Sequence, residues 1–157
     1  MDAGRPLHPR QVLVWTVGGA LGAVVPVAVV LVAELLVGAA DRLPWPRGTA
    51  TVAVVVIAAA AVATLPRAAY RRWRWELAEE TLELRRGLVV RTETAIPYFR
   101  VQHIDITRSP VERALGVSQL TVRTAAATTD AVLPGIAAEE AEALRDRILQ
   151  RAGDDAL

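Results

Sequence analysis

His103 and Asp105 stand two residues apart in a stretch whose alternation reads as a strand, so their side chains fall on one face, with Ser109 four residues beyond Asp105. Imidazole, carboxylate and hydroxyl are the groups of a hydrolytic triad, which requires base, nucleophile and orienter in mutual contact. Ser109, however, opens the run Ser109-Pro110-Val111-Glu112, a capping box with proline at the first helical position, and that role accounts for the serine. A metal site needs three or more ligands. The two histidines, His8 and His103, are separated in sequence by apolar segments, and there is no cysteine to supply a thiolate. No catalytic, cofactor-binding or metal-ligating residue is assigned, no cofactor is expected, and an enzyme using His103 is the weakest functional reading.

The second cluster is electrostatic. Arg67, Tyr70, Arg71, Arg72, Trp73, Arg74 and Trp75 interleave guanidinium groups with aromatic rings, a combination suited to a lipid headgroup layer. Each arginine near such a surface contributes about 1 kcal/mol of attraction to an anionic leaflet. The same residues also stop transfer and seat a helix end. Residues 1–74 hold eight Arg against three acids, a net of +5, whereas residues 75–157 hold ten Arg against fourteen acids, a net of −4. An acidic domain without a basic, aromatic-bearing face argues against nucleic acid as a partner.

The elements that position these groups begin with two uncharged apolar stretches, residues 12–33 and 49–65. As a helix the first is roughly 33 Å long, enough for a hydrocarbon core, and the second is near the short limit. Both are expected to span as helices. Val37-Gly38-Ala39 has the small residues of a signal-peptidase site, but the preceding apolar region is too long for a signal peptide. Arginines 5 and 10 precede the first span and Arg67, Arg71, Arg72 and Arg74 follow the second, so the positive-inside bias puts both termini in the cytoplasm and residues 41–48 outside. Gly18, Gly22 and Pro26 form a small-residue face expected to pack on the Ala-rich second span within a hairpin, in preference to a homodimer. Glu34 falls near the outer interface, where it is expected to reach water or pair with Arg42 or Arg47.

From Trp73 the period changes to two. Trp73, Trp75 and Leu77 alternate with charged residues, Glu79-Glu80 makes a turn, and Leu82 and Leu84 continue the pattern to a second hairpin turn at Arg86-Gly87 before a strand over residues 88–96. Residues 101–107 give a further strand, then a short helix runs from Pro110 to Leu115 with Gly116 as its stop. Strands around residues 120–124 and 131–133 follow, ended by Pro134-Gly135. Ala137, Ala141, Leu144 and Ile148 recur at helical spacing, with acids early and arginines late, as a terminal helix requires.

Several segments together resemble the bacterial pleckstrin-homology-like, membrane-flanked domain family, the YdbS-like proteins. They are Leu82-Glu83-Leu84-Arg85-Arg86-Gly87, the run Ile96-Pro97-Tyr98-Phe99-Arg100-Val101-Gln102-His103-Ile104-Asp105-Ile106, Ser109-Pro110, Arg113, Leu115-Gly116, Leu120-Thr121-Val122 and Leu133-Pro134-Gly135-Ile136. The resemblance implies an α+β membrane protein: a two-helix transmembrane hairpin, then a small PH-like antiparallel β-sandwich or half-barrel with a C-terminal helix plugging one end. The expected division is a tail over residues 1–11, the hairpin over 12–67, the PH-like domain over 68–151 and a flexible tail over 152–157. PH domains that bind inositol phosphates do so with basic residues in the first hairpin turn, but here that turn is Ala78-Glu79-Glu80, whose carboxylates repel a polyphosphate, so no phosphoinositide is expected.

Fold alone assigns no activity. The expected function is that of a membrane-anchored binding or scaffold module, an accessory subunit of an inner-membrane complex. Its expected partners are the bilayer and, as the resemblance implies, a membrane protein carrying further PH-like domains, or a second copy. An anionic-lipid surface sensor is the alternative.

Overall fold

The computed structural model describes residues 4–39, 44–124 and 130–154. The chain forms two compact units, residues 15–67 and residues 1–14 together with 68–157.

The first unit holds most of the expected pair of helices, α1 (Gln11–Ala39) and α2 (Thr49–Arg72), whose residues 11–14 and 68–72 belong to the second unit. Both outrun the apolar stretches that predicted them, and each carries a proline within it, Pro26 in α1 and Pro66 in α2. Their large side chains are open: Leu21, Val25, Leu36 and Ile57 are each about two-thirds exposed, as a lipid-facing surface would be. Glu34 is buried and does not pair with Arg47, which instead donates to the Gly38 carbonyl at 2.7 Å. Its carboxylate accepts from the Ala50 and Thr51 amides at 3.1 Å each and from the Thr51 hydroxyl at 2.7 Å. These are first-turn donors of α2 that have no partner inside the helix, so a side chain of α1 caps α2. Arg42 lies outside the described residues. Gly18 and Gly22 do not pack on the second span, since nothing lies within 4 Å of a Cβ built at either; Gly19, one residue round, meets Val62 at 3.5 Å. Pro26 sits within α1.

The second unit holds two three-stranded antiparallel sheets. One is β1 (Arg74–Leu77), β2 (Thr81–Arg86) and β3 (Thr92–Pro97); the other is β4 (Val101–Thr107), β5 (Val117–Thr124) and β6 (Ala131–Ala137). A 3₁₀ turn, Tyr98–Arg100, joins them. Leu82, Leu84, Ile96, Leu120, Val122 and Leu133 are nearly or wholly excluded from solvent, as the alternation predicts. The β2–β3 connection is longer than the expected two-residue turn. Arg86 pairs with Thr92, which leaves residues 87–91 in the loop, and Gly87 bends it at φ +127°, where a Cβ would collide with the Val90 carbonyl oxygen.

Strand β6 also runs past its expected end. Leu120 pairs with Leu133 and Ser118 with Ile136, so β6 carries one extra residue over that interval and accommodates Pro134 and Gly135 in a bulge. Ala137, assigned by spacing to the last helix, ends this strand. The short helix α3 (Pro110–Leu115) is as expected: the Ser109 side chain accepts from the Glu112 amide, the Glu112 carboxylate accepts from the Ser109 amide at 2.7 Å, and Gly116 is left-handed at φ 68°. The terminal helix α4 (Ala141–Asp154) buries Ala141, Leu144 and Ile148 and packs on the 3₁₀ turn, β4 and β5. Near its end Arg151 donates to the Ala78 carbonyl and to the hydroxyl of the fully buried Tyr98, joining α4 to the β1–β2 turn.

The segment ahead of α1, expected as a tail, belongs to this core. Leu7 and Gln11 are 2% and 1% exposed. Arg5 and Trp75 exchange backbone hydrogen bonds at 2.7 and 3.0 Å, which extends the first sheet beyond β1. Leu7 accepts from the Tyr70 hydroxyl at 3.0 Å, and the His8 amide donates to Gly135 at 2.7 Å. Gly135 is left-handed, and its missing Cβ makes room for the Gln11 side chain.

Candidate functional site

The residues suited to a triad are not assembled as one. His103 Nε2 and Arg123 Nε both lie 3.0 Å from Asp105 oxygens, and the imidazole is 69% exposed. Ser109 is engaged as the cap of α3. This is a surface ion cluster on β4 and β5, open to water. His8 accepts from the Arg10 amide, and no group of three metal-ligating side chains occurs among the described residues.

The Arg and aromatic cluster after the second span divides instead of acting together. Trp73 and Trp75 are buried, at 7% and 4% exposure, so they are core side chains and present no ring to a membrane surface. Alternation already hinted at this, since a Trp-x-Trp strand with arginine between points both rings one way. Tyr70 is half-buried and spends its hydroxyl on Leu7. Arg67 donates back to Ala63 along α2. Arg71 and Arg72 remain exposed, and Arg74 is half-buried.

These three arginines form one wall of a cleft of about 220 Å³, and Arg85, Arg86 and Arg91 form the other. The end of α2 and β1 position the first set, while β2 and the loop that follows it position the second. Register brings them together: Arg74 lies directly opposite Arg85 on adjacent strands, a like-charge pair that disfavours the sheet. The Arg72 guanidinium donates to the Leu88 carbonyl at 2.8 Å and so fastens the loop to the helix end. Arg85 pairs with Glu83 at 3.0 Å and Arg91 with Glu93 at 3.2 Å. Arg72 and Arg74 bond only to carbonyls, and Arg71 and Arg86 have no side-chain partner among the described residues. Four guanidinium charges thus share the cleft without a carboxylate. Beside them Val89 and Val90 are 97% and 75% exposed.

Arg85, Arg86 and Arg91 were missed by sequence reasoning, which looked for basic residues in the first hairpin turn and found carboxylates there. The available signal was Arg85-Arg86-Gly87 with Arg91 four residues on, flanking the second turn.

Comparison with known proteins agrees with this architecture. The UPF0699 transmembrane protein YdbS of Bacillus subtilis (strain 168) is 32% identical over 93 residues, which is 58% of this chain and 57% of the relative, so little more than half of that protein's length is matched. No solved structure matches the chain. The bacterial PH domain model matches residues 16–152, most of the sequence and both of the long apolar helices. With two candidate spans preceding a two-sheet unit closed by a helix, this chain belongs to the bacterial PH domain family and is a membrane-associated protein of PH-like fold.

Proposed function

We propose that this protein is a membrane-anchored binding module, an accessory subunit of a membrane protein complex, with both termini in the cytoplasm and no catalytic activity. One observation carries the reading: the PH-like unit is tied to the hairpin at both ends. Leu7 and Gln11 are buried in it just before α1 enters the apolar span, and Trp73 and Trp75 are buried in it just after α2 leaves. A domain held this way needs no ligand to reach the membrane, so its exposed surface is free to engage partners already concentrated there. The partner class that fits is a membrane protein carrying further PH-like domains, or a second copy. The apolar faces of α1 and α2, with Gly18 and Gly22 open to close approach, support helix packing with such a partner.

The test is extraction of the full chain from its own membranes in mild detergent, followed by mass measurement. A partner or second copy retained at fixed ratio is the expected result, and a lone chain refutes the reading. His103→Ala and Asp105→Ala should leave that ratio and any cellular phenotype unchanged. Loss of phenotype at normal abundance and normal folding would restore the enzyme reading.

A further inference from the structure

We propose that the arginine cleft between the end of α2 and the β2–β3 loop binds a phosphate group, presented by an anionic lipid headgroup. The site is distinct from the first hairpin turn, where Glu79 and Glu80 would repel such a ligand.

Three features lead there. First, the cleft concentrates charge that carboxylates neutralise only in part. Six arginines line it, among the described residues only Arg85 and Arg91 of the six pair with carboxylates, and the sheet register sets Arg74 against Arg85. Like charges held directly across a strand pair are unfavourable, and an anion between them converts that repulsion into attraction. Guanidinium groups meet phosphate oxygens with paired, parallel hydrogen bonds, which makes arginine the side chain of choice for this ligand. Second, the size is right for a compact group. About 220 Å³ is below the roughly 300–1,000 Å³ of sites for drug-sized molecules, a size that suits a phosphate-bearing headgroup.

Third, the source of the phosphate follows from position along the chain. Arg72 is seven residues past Leu65, the end of the apolar run, so it lies no more than about 25 Å from that residue even if the chain were fully extended. Val89, almost wholly exposed, and Val90, three-quarters exposed, on the loop that forms one wall are costly to leave in water and suited to the boundary between headgroups and acyl chains. A soluble phosphate would use the arginines but not the valines. Because the module is already anchored, the contact would set its orientation on the leaflet, and Arg72 bonded to Leu88 keeps the loop in place to make it.

The experiment uses the full chain in detergent, with native mass spectrometry reading retained lipid as phosphatidylglycerol, phosphatidic acid or phosphatidylcholine is titrated. Arg71→Gln with Arg86→Gln removes two guanidinium groups that have no structural partner among the described residues, and Arg113→Gln with Arg145→Gln removes equal charge elsewhere. Phosphatidylglycerol or phosphatidic acid should be retained in preference to phosphatidylcholine. The cleft pair should weaken that retention roughly thirtyfold, at about 1 kcal/mol for each arginine, while the control pair has little effect. Pyrophosphate in a parallel titration separates the two sources. If it binds the detergent-solubilised chain in an Arg71- and Arg86-dependent manner while lipid retention is unselective, the cleft is a phosphate site but a soluble phosphate is its ligand, and the lipid assignment fails. Equal losses in both variant pairs, or no anion bound by the wild-type chain, would overturn the site itself.

Discussion

Replacing Leu7 by alanine tests whether the segment ahead of the first span is structural. Leu7 is 2% exposed and is held from both sides: Arg5 is paired with Trp75, Tyr70 donates to the Leu7 carbonyl, and His8 donates to Gly135. Truncating a buried leucine removes its transfer free energy and leaves a cavity, a loss of 2–5 kcal/mol in well-packed cores, and about 3 kcal/mol is expected at a site on an end segment that can partly relax. The PH-like unit has roughly 100 residues, for which each kcal/mol lowers Tm by about 4–8 °C, so the shift should be about 12–24 °C. Trp73 and Trp75 are buried in that unit and report its melting by fluorescence once Trp15 and Trp45 are changed to Phe. Tyr70→Phe, which removes one hydrogen bond, should cost about 1 kcal/mol in the same assay. Leu13→Ala, at a position 51% exposed on α1, serves as the control and should leave the transition within a few degrees. A Leu7→Ala shift no larger than that of the control would mean that the segment is a tail and that the unit is tethered at one end only.

Three further outcomes are expected. Ser109→Ala should lose about 1 kcal/mol in the same melt, because the capping box at α3 forfeits its side-chain acceptor; no change would show that the cap is redundant. Gly87→Ala should disrupt the β2–β3 loop, since φ +127° and the nearby Val90 carbonyl exclude a Cβ, and hydrogen exchange at residues 87–91 should accelerate while α4 is unaffected. The chain has no cysteine, so single cysteines placed at Trp45 and Gly153 give clean labels, and a membrane-impermeant reagent should reach the first from outside and the second only after the membrane is opened. An external Gly153 would reverse the orientation proposed here.

Local chemistry explains what was legible in the sequence. The apolar runs and their arginine borders identify both long helices, because hydrophobic length is a property of contiguous residues. Ser109, Pro110, Glu112 and Gly116 define α3 to the residue, since a capping box and a left-handed stop act within one turn. The alternation of Leu82, Leu84, Leu120 and Val122 gives the inner faces of the sheets. Trp73 and Trp75 were open to two readings, and only packing decided that they are core.

What the sequence could not supply was register and long-range closure. Arg74 and Arg85 become neighbours only when β1 and β2 pair in one alignment, and a one-residue slip would turn the second side chain to the other face. The same is true of the β2–β3 loop, whose five residues follow from Arg86 pairing with Thr92 and not from Arg86-Gly87 itself. Leu7 gives no sign in its own neighbourhood that it is buried; it bonds to Tyr70, and its neighbours Arg5 and His8 bond to Trp75 and Gly135, all more than sixty residues away. Glu34 likewise meets the first turn of α2 only because the hairpin brings those residues together. Composition and periodicity fixed the elements, since both act over a few residues, whereas the arginine cleft and the N-terminal closure arose only when folding placed distant segments side by side.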